Sequence, residues 1–104
     1  MKNFKIVFVT SKASESEKIA KSVVENKLAA CANIVKNINS FYWWENKVQN
    51  DTEDLIIFKT KKSKLKKLIK KIKEIHSYTV PEIIAFDITK GNKNYLDWIK
   101  YVLK

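Results

Sequence analysis

The chain has 104 residues, 45% of them hydrophobic, with three Trp, four Tyr and five Phe, so it reads as one folded domain spanning 1–104 rather than a disordered tail. Its 21 cationic side chains are all Lys, giving a net charge of +10; with no Arg fork to read bases, no specific nucleic-acid partner is expected. No apolar run reaches the roughly 18 residues of a membrane span, and a lone cysteine can close no internal disulfide, so a cytoplasmic protein without a membrane partner is expected. The chain is also rich in Ile and Asn, which share A/T-rich codons with Lys, and a solvated Lys surface accounts for the charge at this level.

In chain order, "FKIVFVT" (Phe4 to Thr10) is apolar on both faces and predicts a central strand. "SESEKIAKSVVENKLAA" predicts an amphipathic helix: Ser14 and Glu17 have capping-box spacing, and Ile19, Ala20, Val23, Val24 and Leu28 recur at helical intervals. "CANIVKNINSFYWW" alternates with period two up to Trp44, and at about fourteen residues it is more than twice the usual strand length. "DLIIFKT" (Asp54 to Thr60) predicts a short strand pairing back on it. "SKLKKLIKKIKEIH" sets Leu65, Leu68, Ile69, Ile72 and Ile75 on one helical stripe, with the Lys residues outside it. "EIIAFDI" predicts a strand, "KGN" a turn, and "NYLDWIKYVLK" a closing helix.

The order β-α-β-β-α-β plus a C-terminal helix predicts an α+β, ferredoxin-like sandwich with a long hairpin between its second and third strands. That fold serves many activities, and several common ones need motifs this chain lacks. The third strand has no Gly- and aromatic-rich RNA-recognition signature, there is no C-x-x-C for metal transfer, and there is no Arg to hold an acyl phosphate. No Ser-His-Asp set, Gly-rich phosphate loop or close carboxylate pair stands out either, so no enzyme is expected.

At "KLAACANIV", "SFYWWENK", "IIFKT", "YTVPEIIA" and "GNKNYLDWI" the chain resembles the CutA family of divalent-cation tolerance proteins, over nearly its whole length. The resemblance implies a ferredoxin-like subunit in a compact homotrimer, similar in architecture to the nitrogen-regulatory PII proteins. It also implies a link to tolerance of copper and other divalent metals; animal members are linked to anchoring of acetylcholinesterase. This chain departs from the family pattern in three places. Ser77 follows His76 where Pro is usual, Asn46 replaces the Gly after Trp-Glu, and Val9 stands where some bacterial members carry a cysteine discussed as a copper ligand.

The candidate metal ligands are His76, Cys31 and Glu82. Each also has a structural reading: His76 as a helix-end charge, Cys31 as a small core thiol among alanines, Glu82 as a strand-start carboxylate. One His and one Cys make a closed site within one chain improbable, but threefold symmetry multiplies ligands, so weak binding of copper or another divalent ion in an assembly is the expectation. If His76 ligates, affinity falls as pH drops through about 6.5. Matched residue by residue, the family's proposed cleft between subunits implies Trp44, Glu53, Lys59, Tyr78 and Glu82 as its walls, holding a divalent ion or small ligand. Trp43 and Trp44 face opposite sides of their strand, so at least one should meet another subunit. A different class remains open: a structural or signalling interaction trimer linked to metals only indirectly.

Overall fold

The structure, a computed structural model, describes residues 3–104. Its elements are β1 (Phe4–Ser11), α1 (Ala13–Glu25), β2 (Cys31–Trp44), β3 (Lys47–Lys61), α2 (Lys62–Ile75), β4 (Ile83–Asp87) and α3 (Lys93–Val102). The strands form one antiparallel sheet in the order β2-β3-β1-β4, as the ferredoxin-like reading requires.

Strand alternation divides the sheet into two unlike faces. Val7, Val9, Ile56 and Phe58 point to α1 and α2, where Ile19, Val23, Leu68 and Ile72 complete the main core. On the opposite face, the register sets Phe8 beside Ile57 and Ile84, and Ile6 beside Phe86. Helix α3 contributes Leu96 and Ile99, and its C-cap Leu103 follows them, to a second cluster with Ala30, against which Phe4 and Ile88 pack. The remainder of that face is uncovered: Val35, Ile84 and Phe86 are exposed, and the Phe8 and Phe86 rings meet edge to face at 4.8 Å.

Two expectations about local structure are corrected. The strand expected over Asp54 to Thr60 is 15 residues long and matches β2 almost end to end, closing at Glu45 and Asn46, whose φ angles of 52° and 62° fit a two-residue hairpin turn with the twist of its strands. Asn46 therefore fills the place of the usual Gly by adopting the left-handed conformation itself. The capping box also fails, because α1 begins at Ala13, which puts Ser14 inside the first turn, and the N-cap Lys12 makes no side-chain bond. The serine that matters is Ser16, buried, donating to the Asp54 carboxylate at 2.6 Å.

That carboxylate organises a bulge. Between Val35 and Ile38 the β2 register slips, so Lys36 and Asn37 lie opposite Asp54 alone. Asn37 takes a φ of 59°, and its backbone N–H donates to Asp54 at 3.1 Å. The Ser16 bond first, and the Asn37 amide next, hold the Asp54 carboxyl below the usual range despite its burial. Beyond the bulge the hairpin leaves the helices behind and projects into solvent.

Candidate functional site

His76 is the C-cap of α2 and is buried. Its Nε2 lies 2.8 Å from the Thr10 carbonyl, and its Nδ1 accepts the Tyr78 backbone N–H at 3.1 Å. The two contacts fix the neutral tautomer with the proton on Nε2, because a carbonyl can only accept and an amide can only donate. Both imidazole nitrogens are thus engaged, which gives His76 a structural role in this arrangement. His76 ties the 77–82 loop to the end of β1.

Neighbouring contacts tighten the same junction. The Ser77 backbone N–H donates to the Glu15 carboxylate at 3.2 Å; the Ser77 side chain first, and this amide behind it, hold the Glu15 carboxyl below its ordinary value against desolvation. The Tyr78 ring stacks at a tilt on His76, with centroids 4.6 Å apart, and its hydroxyl donates to Glu53 at 2.7 Å. Burial first, and then Glu53, push the Tyr78 phenol up, so it remains a donor across the physiological range.

Glu53 is 6% exposed, and its position follows from the bulge. After the slip, Ile38, Ser40, Tyr42 and Trp44 share one hairpin face with Glu53 and Asp51. The Tyr42 hydroxyl donates to Asp51, which raises the Tyr42 phenol. That face and the 77–82 loop enclose a cavity of about 840 Å³ whose walls include Trp44, Tyr78, Asp51, Glu53 and Glu82. Desolvation first, and then the Glu53 charge, push the Glu82 carboxyl up. The cavity therefore concentrates negative charge in a strongly basic chain, and its aromatic walls limit solvation of whatever enters.

Of the five cleft residues implied by the resemblance, Trp44, Glu53, Tyr78 and Glu82 line this one cavity, and Lys59 does not. Lys59 lies six residues along β3 from Glu53, about 20 Å at strand rise, opposite Cys31. Its amine donates to Asn33. Cys31 is half-buried, with Sγ 3.7 Å from Asn33 Oδ1, at the opposite end of β2 from Trp44. The candidate ligands His76, Cys31 and Glu82 are thus not brought together, and among the described residues no group of three or more His, Cys, Asp or Glu side chains could hold a metal ion. Sequence reasoning missed Asp51 and Tyr42, whose cross-strand placement depends on the full length of β3.

The family model for the CutA1 divalent ion tolerance protein matches residues 5–102. The chain belongs to the CutA family. It is 50% identical over 96 residues to the chloroplastic protein CutA 1 of Oryza sativa, covering 91% of this chain and 54% of that protein. With the divalent-cation tolerance protein CutA of Thermus thermophilus it shares 44% identity, over 91% of this chain and 93% of the relative. The crystal structure of CutA1 from Oryza sativa superposes with a TM-score of 0.94 at 45% identity, covering 98% of this chain and 94% of the other. The chain thus spans about half the length of the rice protein and nearly all of the Thermus one. Family membership accounts for the shared fold, including the long hairpin that carries half of the cavity wall. Among the described residues no helix is long and apolar enough to cross a membrane.

Proposed function

We propose that the chain works as a homotrimer of PII-like architecture which binds divalent metal, copper(II) foremost, or a small ligand in a cleft between subunits, and responds to it without catalysing a reaction. The observation that carries this reading is the half-built cavity: Glu53, Glu82 and Asp51 line it together with Trp44, which is 45% exposed although it is part of the wall. A neighbouring subunit lying on the uncovered sheet face and the hairpin would close it. Within one subunit these carboxylate and hydroxyl oxygens do not form a metal-holding group, so an ion in the cleft would also draw ligands from the neighbouring subunit, the affinity is modest, and copper(II) leads the divalent order. A cytoplasmic setting stays part of the proposal.

Calorimetric titration with copper(II) and zinc(II), alongside light scattering, tests it. Copper should bind more tightly than zinc, Glu82→Gln should weaken both, and the particle should have three times the subunit mass. Binding should persist as pH falls below about 6.5, where a histidine site would be lost. The second reading, an interaction trimer with an indirect metal link, is favoured by the engaged His76 nitrogens. It takes over if the trimer forms and neither metal binds. A stable monomer sinks both.

A further inference from the structure

The three helices share a sheet but not a charge pattern. Helix α1 carries two lysines and three glutamates, and α3 two lysines and one aspartate. Helix α2 carries seven lysines and one glutamate, a net of six positive charges in 14 residues of a chain whose total is +10. A general bias toward A/T-rich codons favours Lys everywhere and does not explain this concentration, because α1 takes up glutamate freely. Position on the molecule, not composition, is the distinguishing variable.

The concentration is also unfavourable to the free helix. Lys62, Lys66 and Lys70 are like charges at i,i+4 spacing, as are Lys67 and Lys71, and each such pair destabilises a helix by about 0.2–0.5 kcal/mol. The first turn contains Lys62 and Lys64 and no acidic residue, and the N-cap makes no side-chain bond, although the positive end of the helix dipole favours an anion there. Among the described residues none of these seven lysines is in an ion pair; the pairs are Lys5–Asp87, Lys36–Asp54 and Lys93–Asp97. The helix is held by its apolar side, where Leu68 and Ile72 are buried and Leu65 and Ile75 pack against the core.

We propose that the outer face of α2 docks on the phosphate backbone of duplex nucleic acid without reading its sequence. Lys62, Lys66, Lys67, Lys70 and Lys73 are exposed, and the i,i+4 steps among them advance about 6 Å along the axis, so flexible stems can each reach a separate phosphate. Lysine suits this task as a point charge; the absence of Arg forks excludes base readout, not phosphate binding. No large apolar side chain is exposed on α2, which argues against the other anionic surfaces. A membrane-surface helix needs an apolar face to bury among acyl chains, and a protein interface is depleted of Lys and built on an apolar centre. Single strands bind through stacking on exposed rings, and α2 offers none. The face points away from the uncovered side of the sheet, so this inference does not depend on the proposed assembly or on the cavity.

Fluorescence anisotropy with a mixed-sequence duplex of about 20 base pairs, titrated across potassium chloride concentrations, tests it: four to five phosphate contacts predict a slope of log K against log salt of about −4. A scrambled duplex should bind equally well. The variant Lys66→Gln/Lys70→Gln/Lys73→Gln should lower the slope by about 3 in magnitude, and it should still fold, since Gln and Lys have similar helix propensities. The matched variant Lys18→Gln/Lys21→Gln/Lys100→Gln removes the same charge from α1 and α3 and should leave the slope unchanged. Equal losses in the two variants would mean diffuse attraction to a basic protein and overturn the proposal, as would tighter binding to phosphatidylserine vesicles than to duplex.

Discussion

The two halves of the β2–β3 hairpin, one on each side of the bulge, have the same antiparallel backbone pairing and opposite surroundings. Below the bulge, Ile56 and Phe58 are fully buried against the helices. Above it, Phe41, Trp43 and Val48 are 67%, 74% and 57% exposed on strands just as completely paired. Hydrogen bonding therefore completes the tip as a ribbon but does nothing for its apolar surface. An isolated two-stranded ribbon is marginal in water, and exposed rings clustered on one are a contact surface awaiting a partner. The lower half is stabilised by burial against the helices; the upper half has no such burial within the chain.

The largest test of that contrast lies in the lower half. Phe58→Ala removes a fully buried ring among residues that cannot all collapse into the gap, which costs about 3–5 kcal/mol. The denaturant midpoint should drop by a large fraction of its value, and a small shift would mean that the core beneath the bulge is loosely packed.

Next in size is the pin at the bulge itself. Asp54→Ala removes the acceptor of the Asn37 amide and leaves the buried Ser16 hydroxyl only the longer 3.3 Å contact to the Ala13 carbonyl, at about 1–3 kcal/mol for a group left unsatisfied. His76→Ala belongs to the same class, because it frees the Thr10 carbonyl and the Tyr78 amide. It should lower thermal stability clearly while changing copper affinity little; the reverse outcome would restore the imidazole as a ligand.

How much of this was legible in the sequence follows from where the signals lie. The core strands and all three helices announce themselves by apolar periodicity, since one side of each is buried and the other is wet. The first half of β3, "KVQNDTE", has no such alternation because both of its faces meet solvent or the cavity, and so no strand is legible before Asp54. Its pairing is imposed by the length of β2 and by the left-handed pair Glu45 and Asn46. Ser16 and Asp54 are 38 residues apart, and His76 and Thr10 are 66 apart. Nothing in the local sequence of either residue identifies its partner, so the helix-end histidine was legible and its engagement was not. The cleft residues came through the family resemblance; Trp44, Glu53, Tyr78 and Glu82 line one cavity of this chain, and Lys59 lies outside it.

A smaller effect on the subunit is expected at the tip. Trp43→Ser removes a ring that is 74% exposed, so the stability of an isolated subunit should change by no more than about 0.5 kcal/mol. Sedimentation on dilution should nevertheless show the assembly dissociating at higher protein concentration than the parent. An unchanged dissociation profile would remove the tip from the interface and leave only the open sheet face to form it.

The smallest effect separates the two halves by sign. Asp54 titrates below its ordinary value in the folded chain, so its contribution to stability is present above the unfolded value of about 3.9 and is lost as pH falls through the lowered one. Glu82 is shifted the other way by desolvation and by Glu53, so the folded state binds its proton more readily than the unfolded chain does. Stability therefore decreases as pH rises from the unfolded glutamate value toward the raised one, and the deficit persists at neutral pH. Glu82→Gln removes that penalty at nearly constant shape. It should be more stable than the parent at pH 7 by no more than about 0.5 kcal/mol, with the difference fading in acid. A cation in the cavity would relieve the same repulsion, so the stabilising substitution should also weaken metal binding. Opposed changes in melting temperature and copper affinity would identify the upper half as a region that gives up stability for a ligand; a variant unchanged in both would make Glu82 an ordinary surface carboxylate.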